Sequence, residues 1–132
     1  MKHKAHTVGA VVLTAGIIHL NNKIGLEIKP LYLIVGAVFG GLLPDIDHPR
    51  SLLGSAIQPV STIIKETIGH RTLTHSILFT VIISLFASIF NINIGIGIGL
   101  GMLSHIILDL LTPETNGVAF LYPFYKKKIK LL

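Results

Sequence analysis

The chain contains no cysteine and no tryptophan, and only 13% of its 132 residues are charged. Without cysteine there are no disulfides and no thiolate metal sites, and redox chemistry says nothing about compartment. Soluble domains carry about 25% charged residues, so a water-facing surface would be short of its usual polar cover. Apolar residues make up 51% and the mean hydropathy is +0.74. A soluble fold of this length, one domain by size, needs more polar surface to enclose its core. Composition therefore predicts an integral membrane protein with a single helical domain over residues 1–132, a buried soluble core being the alternative. Acidic residues are scarce too, six against eleven Lys and Arg, which leaves a net charge of +5 and a pI near 9.7. In a soluble protein that balance would suggest nucleic acid, so the placement of the positive charge decides its meaning.

Four apolar stretches stand out: "TVGAVVLTAGIIHL" (7–20), "LYLIVGAVFGGLLP" (31–44), "SILFTVIISLFASIF" (76–90) and "INIGIGIGLGMLSHIILDLL" (92–111). Several fall short of the about 20 residues a spanning helix needs. Each can borrow flanking residues, and locally thinned lipid tolerates a short span. The opening "MKHK" and the apolar run after it imitate a signal peptide. No small-x-small cleavage site precedes "HLNNK", so an uncleaved first helix is expected. Lys2 and Lys4 precede the first stretch, Lys23 and Lys29 follow it, and Arg50, Lys65 and Arg71 separate the second from the third. No charge separates the third from the fourth, and Lys126, Lys127, Lys128 and Lys130 follow the fourth. With about four transmembrane helices, most of the positive charge lies on one side, which the positive-inside rule makes the cytoplasm. Both termini are then cytoplasmic, and the high pI needs no nucleic acid.

The run "GIGIGIGLG" alternates like a strand, but a lone strand in lipid leaves its backbone unpaired. On a helix, Gly95 with Gly99 and Gly97 with Gly101 form GxxxG pairs, as do Gly36 and Gly40. Such pairs let helices approach closely, within the chain or between copies in a homo-oligomer. Residues 51–68 differ: Leu52, Leu53, Ala56, Ile57, Val60, Ile63, Ile64 and Ile68 recur at helical spacing, with polar residues filling the other face. This predicts an amphipathic segment on the membrane surface, broken at Pro59, which starts its second piece.

Against that topology the ionisable residues converge. His6 opens the first helix, Asp45, Asp47 and His48 end the second, His70 and His75 lead into the third, and His105 and Asp109 close the fourth. All eight fall at one level on the cytoplasmic side, and the charge rule used none of them. Ionisable groups at membrane depth are costly and usually functional. His105 and Asp109, four apart, share a helix face. "PDIDHP" is flanked by proline and expected to be extended, which aims Asp45 and Asp47 the same way. His70 and His75, five apart, work together if His70 precedes a helix and His75 lies in its first turn. Imidazole with carboxylate suits zinc, and also manganese or iron. Eight candidates exceed the ligands of one zinc ion, so two or more divalent ions bridged by an aspartate are expected. His3 and His19 are read as hydrogen-bonding residues between helices.

The blocks "GLLPDIDHP" (41–49), "HRTLTHS" (70–76), "SHIILDLLTP" (104–113) and "GVAFLYPF" (117–124), with "HTVGA" (6–10), resemble the YdjM family of membrane-bound metal-dependent hydrolases. The resemblance spans nearly the whole chain in the family's order. It implies a helical membrane protein with metal bound by His6, Asp45, Asp47, His48, His70, His75, His105 and Asp109. More loosely, the His/Asp set is similar to zinc-dependent phospholipase C and P1-type nuclease enzymes.

Ligand type and resemblance together lead to a metal-dependent hydrolase acting on a phosphate ester of a lipid headgroup at the cytoplasmic interface. Asp45 and Arg71 are its candidate catalytic residues. Arg71 would neutralise phosphate charge, or it is only a positive-inside anchor. Thr74, Ser76 and Ser104 are candidates for orienting the ligands. The alternative is a non-enzymatic metal binder: a sensor, a transporter component or an assembly factor.

Overall fold

A computed structural model describes residues 3–132. Lys2, counted above with the cytoplasmic charge, lies outside the described residues, as does the side chain of His3. The chain is all-α: α1 (His3–Ile24), α2 (Pro30–Leu42), a 3-10 turn (Leu43–Asp47), α3 (Leu52–Ala56), α4 (Gln58–Thr67), α5 (Ile77–Phe90) and α6 (Ile92–Leu111). Among the described residues the extended pairing is a single bridge between Val118 and Ile129.

The glycine run is helical, and its period explains why α6 sits at the centre. Residues two apart on a helix lie about 200° around it, so the alternation makes two glycine stripes on opposite faces. Gly97 and Gly101 abut the α2 backbone at Leu33 and Ala37, while Gly36 and Gly40 abut α6 at Ile94 and Ile98. Gly95 and Gly99 face Ser84 and Ser88 of α5. A side chain at Gly101 would collide with the Ala37 carbonyl and the backbone of Gly40 and Gly41. The GxxxG faces are therefore occupied inside the chain. Asn91 both ends α5 and caps α6, its side chain accepting from the N–H groups of Asn93 and Ile94.

Small and polar residues point inward and large apolar ones outward. α2 buries Leu33, Gly36, Ala37, Gly40 and Gly41, yet leaves Leu31 71% and Phe39 57% exposed. α5 turns Val81, Leu85, Phe86 and Ile89 outward. A water-soluble domain arranges these residues the other way round, and continuous exposed apolar faces mark contact with lipid or a partner. Two segments, not four, are long and apolar enough to cross a membrane: Pro30–Asp47 and Ile92–Leu111. α5 is apolar but has 14 residues, or about 21 Å of helix against a hydrocarbon core of about 30 Å. α1 has 22 residues, but His6, His19, Asn21 and Asn22 dilute its apolar character.

The segment before α5 breaks as its proline dictates. Ser51 caps α3 by accepting from the Gly54 N–H at 2.9 Å, and α4 restarts with Pro59 in its first turn. Val60 and Ile63 of α4 are exposed while Ser61 is buried, so the apolar face points away from the protein.

Candidate metal centre

The start of α1, the end of α2, the approach to α5 and the end of α6 meet at one end of the molecule. His6, His105 and Asp109 form one group with one potential ligand atom each within 4.8 Å of the others, and Asp45, His75 and His105 form a second. His105 belongs to both. His6, His75, His105 and Asp109 are fully or almost fully buried.

Asp109 is the hub. Its oxygens lie 3.3 Å from His75 Nε2, 3.6 Å from His105 Nε2 and 3.7 Å from His6 Nε2. Asp45 lies 3.5 Å from His105 Nε2. These separations are too long for good hydrogen bonds, and His75 Nε2, His105 Nε2 and His6 Nδ1 have no hydrogen-bond partner at all. Buried polar atoms normally find partners. Ligands about 2.0–2.1 Å from a tetrahedral ion stand about 3.3 Å from one another, and the observed spacing is of that size. The residues present therefore fit a divalent ion, with His6, Asp45, His75, His105 and Asp109 as its candidate ligands.

The imidazoles are aimed from behind. His105 Nδ1 lies 2.7 Å from the Gly41 carbonyl oxygen. A carbonyl only accepts, so Nδ1 carries the proton, and in the neutral imidazole Nε2 presents a lone pair. His75 Nδ1 lies 3.0 Å from Thr74 Oγ1 and 3.4 Å from Asp47. Asp47 itself is committed: it accepts from Thr74 Oγ1 at 2.6 Å and from the Arg71 N–H at 2.9 Å, and His70 Nδ1 lies 2.6 Å away. It stands behind the candidate ligand His75, directly and through Thr74, where a group that orients a metal ligand would stand.

Asp45 and Asp47 do not point the same way, as an extended "PDIDHP" would have made them. Pro49 restricts only the residue before it, and His48 alone is extended. Pro44 is the second residue of the 3-10 turn, where its missing N–H leaves no bond unmade. At three residues per turn, positions two apart diverge by about 240°, which sends Asp45 to His105 and Asp47 to the loop before α5. His70 and His75 both precede α5, whose cap is Ser76. Asp47, His48 and His70 fall in neither ligand group. His48 sits edge-on to His70 with ring centroids 5.2 Å apart, and burial, with His70 nearby, pushes its imidazole below the usual histidine range. His19 is exposed on α1, away from the cluster.

Arg71 is an ordered part of the centre. Its Nε donates to Asp109 at 2.7 Å and its Nη2 approaches the other Asp109 oxygen at 3.4 Å. Its φ of 57° is in the left-handed region, which costs a non-glycine residue about 1–2 kcal/mol. The Asp47 bond to its N–H and a 3.0 Å bond from the Ala119 N–H to its carbonyl hold it there. Of the other suggested orienting residues, only Thr74 takes that role: Ser76 caps α5, and Ser104 bonds the Gly101 carbonyl.

Residues 1–132 match the family described as YdjM inner membrane protein. The chain belongs to the YdjM family. The inner membrane protein YdjM of Escherichia coli (strain K12) is 37% identical over 99 residues, covering 70% of this chain and 50% of that protein. The uncharacterized protein YvsG of Bacillus subtilis (strain 168) is 33% identical over 96 residues, covering 71% of this chain and 59% of that protein. The chain spans about half the length of the curated relatives it matches. No solved structure matches it. A YdjM-family chain with lipid-type outer faces and two apolar spans is a membrane protein. Its His/Asp cluster sits at one end of the helices rather than halfway along them.

Sequence reasoning missed two partners of the candidate centre. The Gly41 carbonyl has no side-chain signature. The segment after α6, whose lysines entered the sequence reading only as charge, folds back: the Leu131 N–H donates to the Leu110 carbonyl and Lys128 Nζ to the His70 carbonyl at 2.8 Å. The block 117–124 carries part of the family resemblance, but nothing in its residue types announces a contact with Arg71.

Proposed function

We propose that this YdjM-family chain is a membrane-embedded, metal-dependent hydrolase of phosphate esters of the lipid-headgroup class. It crosses the membrane several times, with both termini and the centre at the cytoplasmic face. The observation that carries the reading is the pair of unpartnered buried nitrogens, His75 Nε2 and His105 Nε2, that face Asp45 and Asp109. Zinc suits this donor set best, with manganese or iron as alternatives. A bound divalent ion supplies Lewis acidity and lowers the pKa of water toward about 7.

The chain's own groups divide the remaining work. The rim of the centre is its accessible part: the side chains of Asp45, Arg71 and His70 are 16%, 18% and 22% exposed, against 0% for Asp47 and Asp109. Asp45, at the rim, would hold the ion through one carboxylate oxygen and would accept the proton of the attacking water on the other. Arg71 spends two of its nitrogens on Asp109, and its other donors suit a phosphate oxygen at the rim. Gly41, Thr74 and Asp47 keep the imidazoles in place.

The test is metal analysis of purified protein with a phosphoesterase assay on lipid substrates. Wild type should carry at least one transition metal. His105→Ala should lower its content and His19→Ala should not. Asp45→Asn should abolish hydrolysis while the protein stays membrane-inserted and monodisperse in detergent. Full activity of Asp45→Asn at matched metal loading overturns the mechanism. Equal metal content in all variants overturns the site.

A further inference from the structure

Beside the centre lies an apolar cavity of about 260 Å³. One wall is the first half of α5, with Ile77, Leu78 and Val81, and the other is the returning segment, with Phe120, Leu121 and Phe124. We propose that this groove holds one hydrocarbon chain of an anionic phospholipid whose phosphate lies at the metal centre, an inference that rests on the phosphate-ester reading above.

Position comes first. Ile77 follows His75 by two residues. The Ile77 N–H donates to the Phe120 carbonyl at 2.8 Å, and the Ala119 N–H donates to the Arg71 carbonyl at 3.0 Å. Two adjacent residues of one segment thus touch the centre and the groove, so the groove begins where the centre ends. Direction comes second. α5 starts at the level of the centre, and Ile77 to Val81 descends about 6 Å along it toward the opposite end. A chain attached to a phosphate at the centre would follow the same path into the apolar part of the protein.

Charge comes third. The Phe124 wall runs on into Lys126, Lys127 and Lys128, and the Lys128 bond to the His70 carbonyl pins that basic run beside the rim. An apolar slot bordered by a basic run, with Lys128 anchored at the rim, complements a lipid with an anionic head. Size comes last. Complete small-molecule ligands occupy pockets of about 300–1,000 Å³, and this groove is smaller, suited to part of one chain.

The test uses the full chain in phosphatidylcholine nanodiscs containing a minor fraction of phosphatidic acid with a diazirine in one acyl chain. After photolysis, label should concentrate on residues 77–81 and 120–124, above the level at the exposed α5 residues Ile89 and Phe90. Unlabelled phosphatidic acid should compete, and added phosphatidylcholine should not. Leu78→Trp, at a partly exposed position that tolerates bulk, should fill the groove and bring its labelling down to the Ile89 level. Val81→Phe should do the same from the next turn, should the first variant fail to fold. Hydrolysis is measured on the same discs. Groove labelling without hydrolysis supports the groove and overturns the hydrolase. Hydrolysis with uniform labelling, or labelling unchanged by both variants, overturns the groove and leaves the hydrolase standing. With short-chain, water-soluble phosphate esters, KM should fall about fourfold per methylene until the groove is full. No dependence on chain length contradicts the assignment.

Discussion

Asp47→Asn separates a carboxylate that orients ligands from one that is a ligand. Asp47 has no solvent exposure, and its oxygens face His70 Nδ1, the Arg71 N–H and Thr74 Oγ1 at 2.6, 2.9 and 2.6 Å. Asparagine keeps the shape but replaces one oxygen with a donor. If that donor faced Arg71, two N–H groups would oppose each other with no remedy. If it faces His70, the imidazole can move its proton to Nε2 and accept at Nδ1. The amide should therefore settle with its nitrogen toward His70, and the bonds to Arg71 and Thr74 should survive as neutral ones. Bonds to a charged group contribute about 1.5–3 kcal/mol and neutral ones about 0.5–1.5. Three weakened bonds should then cost about 3 kcal/mol of stability, less whatever relaxation recovers.

Metal affinity should fall less than removal of a ligand would produce. Loss of a group behind a ligand typically lowers affinity about 10–100-fold, or about 1.4–2.8 kcal/mol. Competition with a zinc chelator in detergent gives the affinity, and elemental analysis at saturating zinc gives the stoichiometry. The expected result is weaker binding with stoichiometry restored at high zinc. An unchanged affinity would refute the orienting role. Loss of stoichiometric binding at saturation, as in His105→Ala, would show that Asp47 is itself a ligand, against the hydrogen bonds that occupy it.

Two other expectations follow from packing and charge. Gly101→Leu should destabilise the protein by about 1–3 kcal/mol or more and lower its metal content without touching a ligand. Its side chain would strike Ala37, Gly40 and Gly41, and α2 carries the carbonyl that fixes His105 and leads into the turn that holds Asp45. Gly16→Ala, where nothing lies within 4 Å, should be neutral or slightly stabilising, and equal thermal shifts for the two variants in detergent would show that the α2–α6 contact is not tight. Reporter fusions after Lys130 and near Asn22 should report cytoplasmic and external positions respectively. An external Lys130 would move the centre to the other face.

The convergence of the ionisable residues at one end of the helices was legible because its information is local, whereas the place of Asp47, His48 and His70 outside both ligand groups was not. His105 and Asp109 share a face by spacing alone, and the ends of the apolar stretches put the other candidates at the same level. The glycine alternation was legible as a packing device for the same reason: one period makes two stripes, although which helix meets which stripe is a tertiary fact. The number of spans was not legible, because an apolar stretch declares its composition and not how much of it becomes helix. α5 has 14 residues between Ser76 and Asn91, each capping a helix.

The roles of Asp47 and Arg71 depend on a turn that sequence cannot resolve. Proline at both ends of "PDIDHP" allows an extended strand or a 3-10 turn, and the two place the second aspartate on different sides of the chain. Once the turn is 3-10, Asp47 faces the loop before α5, where it accepts the Arg71 N–H and holds that residue in its left-handed conformation. That conformation aims the guanidinium at Asp109. Three residues far apart in sequence are thereby linked. The charge that the positive-inside rule counts as an anchor becomes part of the centre itself, a consequence of backbone geometry rather than of residue type.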